Sequence, residues 1–110
     1  MISFGVLVLL CSALVACGNV RKDKLSFDGQ YFRSKASKTG SDDRRQFSVD
    51  VRPVSASVEG AQEAGRHEAT KYCIENFGNS VVFWDIGPDD DPQTYVLDGD
   101  TLVLQGTCEG

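Results

Sequence analysis

Histidine is almost missing from this chain, and its scarcity excludes several kinds of chemistry. His67 is the single histidine, so a zinc centre of the usual histidine and cysteine ligands lacks donors. The sequence also contains no glycine-rich phosphate loop, no catalytic serine motif and no Cys-x-x-Cys pair. The longest apolar stretch is shorter than the roughly 20 residues that a membrane-spanning helix needs. These absences remove the common signatures of metalloenzymes and nucleotide-binding enzymes, and they predict no cofactor.

The chain begins with an apolar leader that ends at a cysteine. Thirteen of the fifteen residues from Ile2 to Ala16 are apolar or glycine, and none is charged. The length of this leader and the small residue at its end are typical of a signal peptide. The sequence Leu-Val-Ala-Cys that ends at Cys17 resembles the lipobox of bacterial lipoproteins. The resemblance implies cleavage before Cys17, a diacylglyceryl thioether on its sulfur and an amide-linked chain such as palmitate on its amine.

This resemblance divides the chain into a signal peptide at 1–16, a lipidated tether at 17–24 and a single domain at 25–110. Two or more acyl chains hold a protein stably on a bilayer, whereas one chain holds it only marginally. Gly18 stands where an aspartate would retain a lipoprotein in the inner membrane. The resemblance therefore implies the outer membrane, facing the periplasm. The alternatives are an ordinary secretory signal that is cut near Ala16 and a short anchor that stays uncleaved.

Two cysteines, Cys73 and Cys108, remain in the mature domain once Cys11 leaves with the signal peptide and Cys17 carries lipid. Export places this pair in an oxidising compartment, which predicts a disulfide. The bond would close a loop of about 36 residues and contribute roughly 3–4 kcal/mol on the chain-entropy model. A reactive redox pair is the alternative, but the arrangement that lowers a thiol pKa is missing.

Basic residues are concentrated in the first half of the mature chain. Residues 21–52 hold nine lysines and arginines against five acids, and residues 53–110 hold two against eleven. The basic half adjoins the predicted anchor, where anionic lipid headgroups would attract it. Alternatively, both halves are ordinary solvated surface. Nucleic acid is excluded as a partner because the chain is exported and carries a net charge of −5.

The pattern of the mature chain predicts an α+β fold in which one helix packs on a small antiparallel sheet, in the order β-β-α-β-β-β. Alternating apolar residues at Phe47, Val49 and Val51 indicate a strand with one buried face. The apolar run at 80–86 is expected to be a central strand, and Asp98-Gly99 is expected to turn a hairpin. The expected strands are 31–35, 47–52, 80–86, 94–97 and 101–104.

One helix is expected between residues 55 and 77. Ser57 is the candidate N-cap, and Gly78 is the candidate C-terminal stop. The first part of its inward face carries only small residues, including Ala61 and Gly65, which predicts close packing on the sheet. The run from Arg66 to Glu75, followed by Gly78, Trp84 and a terminal Gln-Gly-Thr-Cys, is similar to small lipoproteins of alphaproteobacteria. This likeness implies a Gram-negative setting and carries no activity.

Aromatic residues are the candidates for a partner surface. Phe83 and Trp84 are neighbours on one strand, so one side chain enters the core and the other faces the open side of the sheet. We predict a partner surface of Trp84, Tyr31 and Tyr95, because exposed aromatic strips mark interaction sites. The alternative is that the N-terminal segment covers these rings.

Two polar features are candidates for chemistry, and both are incomplete. His67 lies one helical turn from Glu63, which allows a surface hydrogen bond, but no serine or cysteine nucleophile is paired with it. The run Asp89-Asp90-Asp91 lacks the alternating carboxylates, the glycine and the glutamate of a calcium loop. The sequence therefore predicts no catalytic residue and no metal ligand.

These patterns favour a lipid-anchored, non-enzymatic envelope protein whose domain is a binding or structural accessory for an envelope partner. A secreted-type inhibitor of a hydrolase is one alternative hypothesis. A small thiol-redox enzyme that uses Cys73 and Cys108 is another.

Overall fold

The computed structural model describes residues 25–40 and 42–110. The predicted signal peptide, the predicted tether and Cys17 lie outside the described residues. Within them, one long helix accompanies two antiparallel sheets, which confirms the α+β class. The helix is α1, Val58–Phe77, and short 3₁₀ turns stand at Val54–Ala56 and Pro92–Thr94. The strands are β1 Ser26–Phe27, β2 Gln30–Tyr31, β3 Arg33–Lys38, β4 Gln46–Arg52, β5 Val82–Ile86 and β6 Leu102–Cys108.

The larger sheet has the strand order β3-β4-β6-β5, and all its neighbours are antiparallel. The smaller sheet is the hairpin β1-β2, whose turn is Asp28-Gly29. Both turn residues have positive φ, at 53° and 71°. This conformation suits an Asp-Gly pair at the centre of a tight hairpin turn.

The core lies between α1 and the two middle strands. On β4, Phe47, Val49 and Val51 are buried, as their alternation predicts. The helix approaches closely because its inward face is small. A Cβ atom on Gly65 would stand 2.5 Å from Leu104 Cδ1, so a larger side chain there would have to displace the Leu104 side chain or move the helix away from β6.

The predicted disulfide is confirmed. Cys73 on α1 and Cys108 at the end of β6 form a bond with an S–S distance of 2.04 Å. Both cysteines are buried, at 0% and 1% exposure. The bond therefore ties the second half of the helix to a middle strand of the sheet from inside the core.

The prediction that the strand at 80–86 is central is wrong, because β5 is an edge strand. A continuous apolar run suggested burial on both faces, but only one face of β5 meets the helix. Trp84 faces the core and its ring lies 5.9 Å from that of Phe47. Phe83 stays 59% exposed on the other face. This confirms the prediction that one of these two side chains enters the core and the other faces the open side of the sheet.

The predicted strand at 94–97 is also wrong. Asp91 caps the 3₁₀ turn Pro92–Thr94 by accepting a hydrogen bond from the Gln93 N–H at 2.9 Å. The chain then stays irregular, and Val96 is 88% exposed. Only the bridge between Asp98 and Thr101 remains of the expected hairpin. The proline and the aspartate cap set the local conformation here against the β propensity of Tyr-Val-Leu.

The predicted ends of the helix are confirmed. The Ser57 hydroxyl oxygen accepts a hydrogen bond from the Gly60 N–H at 2.9 Å, and Gly78 closes the helix with φ at 77°. The Ser57 hydroxyl also donates to Asp28 Oδ2 at 2.6 Å, which joins the β1-β2 hairpin to the helix. Ser57 thus serves both the helix and the hairpin.

We expect Ser57→Ala to lower the free energy of unfolding by about 1–2 kcal/mol, because the cap and the bond to Asp28 are lost together. Urea unfolding followed by circular dichroism measures the change. Ser80→Ala is the matched control, since Ser80 is exposed and should change the stability by less than about 0.5 kcal/mol. Equal effects of the two substitutions would contradict the capping role.

Candidate functional site

A groove of about 750 Å³ opens between α1, the β1-β2 hairpin and the start of β3. Its volume lies within the range of small-ligand sites, roughly 300–1,000 Å³. One part of its lining is aromatic, from Phe27, Tyr31 and Phe32. The other part is polar or charged, and it contains Arg33, Arg52, His67, Glu68, Lys71 and Asp100. This combination can hold a ligand that has both an apolar portion and a charge.

The hairpin wall of the groove rests on a glycine of the helix. A Cβ atom on Gly60 would lie 2.6 Å from the Phe27 carbonyl oxygen and 2.9 Å from Phe32 Cε2. The first contact is with backbone, which has no rotamer to relieve it, so only glycine allows this approach. The Phe27 ring then lies 5.7 Å from the ring of His67. The close contact at Gly60 therefore fixes the aromatic side of the groove.

Carboxylates hold the segments that border the groove. Asp100 accepts hydrogen bonds from the Ser55 N–H at 2.8 Å and from the Ser55 hydroxyl at 2.6 Å. Asp28 in the hairpin turn accepts a hydrogen bond from the Ser57 hydroxyl. The hairpin and the turn before β6 are thereby attached to the start of the helix, so much of the groove's border is built before a ligand arrives.

Two arginines of the groove face each other across strands. Arg33 on β3 is the direct register partner of Arg52 on β4. Like charges in this position repel each other and destabilise a strand pair. Among the residues that the structure describes, neither arginine forms an ion pair, whereas Arg45 and Arg66 are each held by carboxylates. The fold thus keeps a local concentration of positive charge at the groove.

The three residues predicted as a partner surface lie in different places. Tyr31 lines the groove and is 62% exposed. Trp84 is half-buried on the helix side of the sheet. Tyr95 packs beside the helix, where its hydroxyl donates to the Gly87 carbonyl oxygen at 2.7 Å and accepts from the Gln62 amide at 3.0 Å. Burial raises the pKa of the Tyr95 phenol. Only Tyr31 belongs to the candidate site.

The acidic loop after β5 makes internal hydrogen bonds. Asp89 accepts two bonds from the Arg66 guanidinium, at 2.6 and 3.3 Å, and these bonds hold the pKa of Asp89 below its usual range. Asp90 accepts from the Gly87 N–H at 3.0 Å, and Asp91 caps its 3₁₀ turn. No group of three potential metal ligands occurs in residues 25–40 and 42–110. The ion pair between Arg66 and Asp89 thus fastens the loop to the helix.

The hydrogen bond that the spacing of His67 and Glu63 allows is not formed, and Glu63 accepts from the Arg66 guanidinium instead. No hydrogen bond joins the His67 imidazole to a residue in the described ranges; the neighbour of this ring is the Phe27 ring. A histidine that exchanges protons in catalysis is ordinarily oriented by a second polar group. His67 is therefore placed as a lining residue of the groove.

Sequence reasoning missed most of this site. Phe27, Phe32, Arg33, Arg52 and Lys71 were not singled out, because they come from three separate segments of the sequence. One signal pointed toward them, the excess of basic residues in 21–52. That excess could not indicate which cations meet beside the aromatic rings.

Comparison with known proteins adds no relative: no family model, no curated protein and no solved structure matches this chain. Among the described residues, no helix has the length and apolar character that crossing a bilayer demands. Function is therefore inferred from the chain's own residues.

Proposed function

We propose that this protein is a lipid-anchored envelope protein whose domain binds a ligand or partner at the membrane surface without catalysing a reaction. Its proposed location is the outer membrane, facing the periplasm. The observation that carries the proposal is the position of the groove. Leu25 lines the groove, and the proposed tether at 17–24 would join the domain at this residue.

The composition of the groove supports binding. Aromatic rings provide apolar contact area, and the neighbouring cations attract an anion. A catalytic groove would instead bring a nucleophile or an oriented acid and base together. His67 has a ring as its neighbour, and the Asp100 carboxylate is occupied by Ser55.

Burial of the disulfide opposes the thiol-redox alternative. Thiol–disulfide exchange requires a thiolate to reach one of the two sulfur atoms. Cys73 and Cys108 are 0% and 1% exposed, so a partner thiol cannot approach either of them in the folded domain. This burial supports a structural role for the bond.

Substitution of Cys17 tests the anchor. We expect the wild-type chain to fractionate with the outer membrane and to carry, by mass spectrometry, acyl groups on an N-terminal Cys17. In Cys17→Ser this lipid mass should be lost, because serine has no thiol to accept the diacylglyceryl group. Cys11→Ser is the matched control and should keep both the lipid and the membrane location. A wild-type protein without lipid in the soluble fraction would refute the proposal.

A further inference from the structure

We propose that the groove binds the phosphate of an anionic phospholipid, with the cations holding the phosphate and the aromatic wall contacting the adjoining glycerol and acyl portion. The cations are Arg33, Arg52 and Lys71. The chemistry of this ligand follows from the residues of the groove. Its source, the bilayer that carries the anchor, rests on the function proposed above.

The positive charge of the groove is arranged at a cost to the fold. Arg33 and Arg52 are opposed in register, where a strand pair ordinarily carries neutral or oppositely charged side chains. Lys71 of α1 adds a third cation to the same groove, and no ion pair within the described residues neutralises it. An anion between these side chains would remove their repulsion. Phosphate suits this role because guanidinium groups bind its oxygens in pairs.

The carboxylates of the lining do not cancel this charge. Asp100 is engaged by two hydrogen bonds from Ser55 at the start of the helix region. Asp100 keeps its negative charge in these bonds, so Asp100 and Glu68 together offset two of the three cations of the lining. The groove therefore has an excess of positive charge in a protein whose overall charge is −5. A local field of this sign attracts anions selectively.

The aromatic wall distinguishes the proposed ligand from a bare phosphate ion. Phe27 and Phe32 are partly buried where the hairpin meets the helix, and Tyr31 extends the apolar lining. An inorganic ion has no apolar portion that could pack on these rings. A phosphate that carries a glycerol and acyl chain would cover them, and burial of apolar area would add to its affinity.

The length of chain between the proposed anchor and the groove selects the bilayer as the source. Eight residue steps separate Cys17 from Leu25, so the groove lies within about 28 Å of the lipidated sulfur even when the chain is fully extended. Lipid headgroups around the anchor are therefore held at a high local concentration near the groove.

The experiment uses the full-length chain as isolated from membranes in an uncharged maltoside detergent. Three probes are titrated: dihexanoyl-phosphatidylglycerol, dihexanoyl-phosphatidylcholine and inorganic phosphate. Amide and ring signals of Tyr31, His67 and Lys71 are followed by nuclear magnetic resonance. We expect saturable shifts at these residues with phosphatidylglycerol, and binding at least about fivefold weaker for the two other probes because each lacks the net charge or the apolar portion.

Matched substitutions separate the groove from general electrostatics. Arg33→Gln and Lys71→Ala should each weaken phosphatidylglycerol binding about fivefold. Arg44→Gln and Lys35→Ala remove the same charges from exposed positions outside the groove and should change binding by less than about twofold. Arg33→Gln should also raise the thermal midpoint, because it relieves the repulsion with Arg52. Damage to the fold would lower the midpoint and the affinity together.

Four other results would each overturn the inference, in whole or in the source of the ligand. Inorganic phosphate that binds as tightly as phosphatidylglycerol would mean that the aromatic wall contributes nothing. Equal effects of Arg33→Gln and Arg44→Gln would mean that no specific site exists. If a lipidated chain binds none of the probes, the proposed site is refuted and the proposed anchor stands. If a chain without lipid still binds phosphatidylglycerol, the chemistry of the site stands and the bilayer is refuted as the source of the ligand.

Discussion

The double substitution of Cys73 and Cys108 by alanine is expected to lower the free energy of unfolding by about 4 kcal/mol, the value that chain entropy gives for a separation of 35 residues. A domain of this size is typically stable by only about 5–13 kcal/mol. The bond joins α1 to β6, and β6 pairs with both β4 and β5. Without it, the helix would be held on the sheet by its small inward side chains and by the rings of Tyr72 and Phe77.

Urea unfolding of the oxidised wild type, the reduced wild type and the double variant measures this contribution. The last two should agree closely, because alanine and a buried thiol differ little in volume. The urea dependence of the unfolding free energy should rise in both, since the unfolded chain without the cross-link exposes more surface. A loss below about 1 kcal/mol would contradict the structural role of the bond.

Phe47→Ala is expected to lower the free energy of unfolding by about 3–5 kcal/mol, as large-to-small substitutions in cores do. Phe47 is 1% exposed, and its ring lies 5.0 Å from that of Tyr72 and 5.9 Å from that of Trp84. Removing the ring leaves a cavity between the helix and the sheet. The substitution should therefore also weaken the near-ultraviolet signal of Trp84.

Phe83→Ala is the matched control, because it removes the same ring from a strand position on the opposite face. Phe83 is 59% exposed, so its loss should change the unfolding free energy by less than about 1 kcal/mol. Comparable losses in the two variants would contradict the assignment of the buried face. The pair thus tests which side of the sheet the helix covers.

Predictions from local sequence succeeded where a few adjacent residues decide the structure. Ser57 caps the helix and Gly78 ends it, because capping depends on backbone groups only a few residues away. The alternation in 46–52 predicted the buried face of β4, since the side-chain period of a strand is two.

Predictions failed where distant segments compete for the same place. The apolar run at β5 was expected at the centre of the sheet, but β6 pairs with β4 and leaves β5 at the edge. Residues 94–97 have good strand propensity, yet the proline-containing 3₁₀ turn and the Tyr95 hydrogen bonds hold them in an irregular path. Hydrophobicity indicates that a segment is buried without indicating which neighbour buries it.

In the candidate site too, the sequence predicted a local property but not the contacts between distant residues. Composition indicated a basic region at 21–52, and nothing in the sequence paired Arg33 with Arg52 or placed Lys71 in the same groove. That meeting depends on the antiparallel register of β3 and β4 and on the close contact at Gly60.

The sequence by itself determined the α+β class, the ends of the helix, the buried face of β4 and the cysteine pair, because each follows from local chemistry or from simple elimination. Only the tertiary structure decided the strand order, the exposed position of Phe83 and the groove. These features arise from contacts between segments that are tens of residues apart, and local preferences are compatible with several such arrangements. Packing of the small-faced helix against β4 and β6 selects one of them.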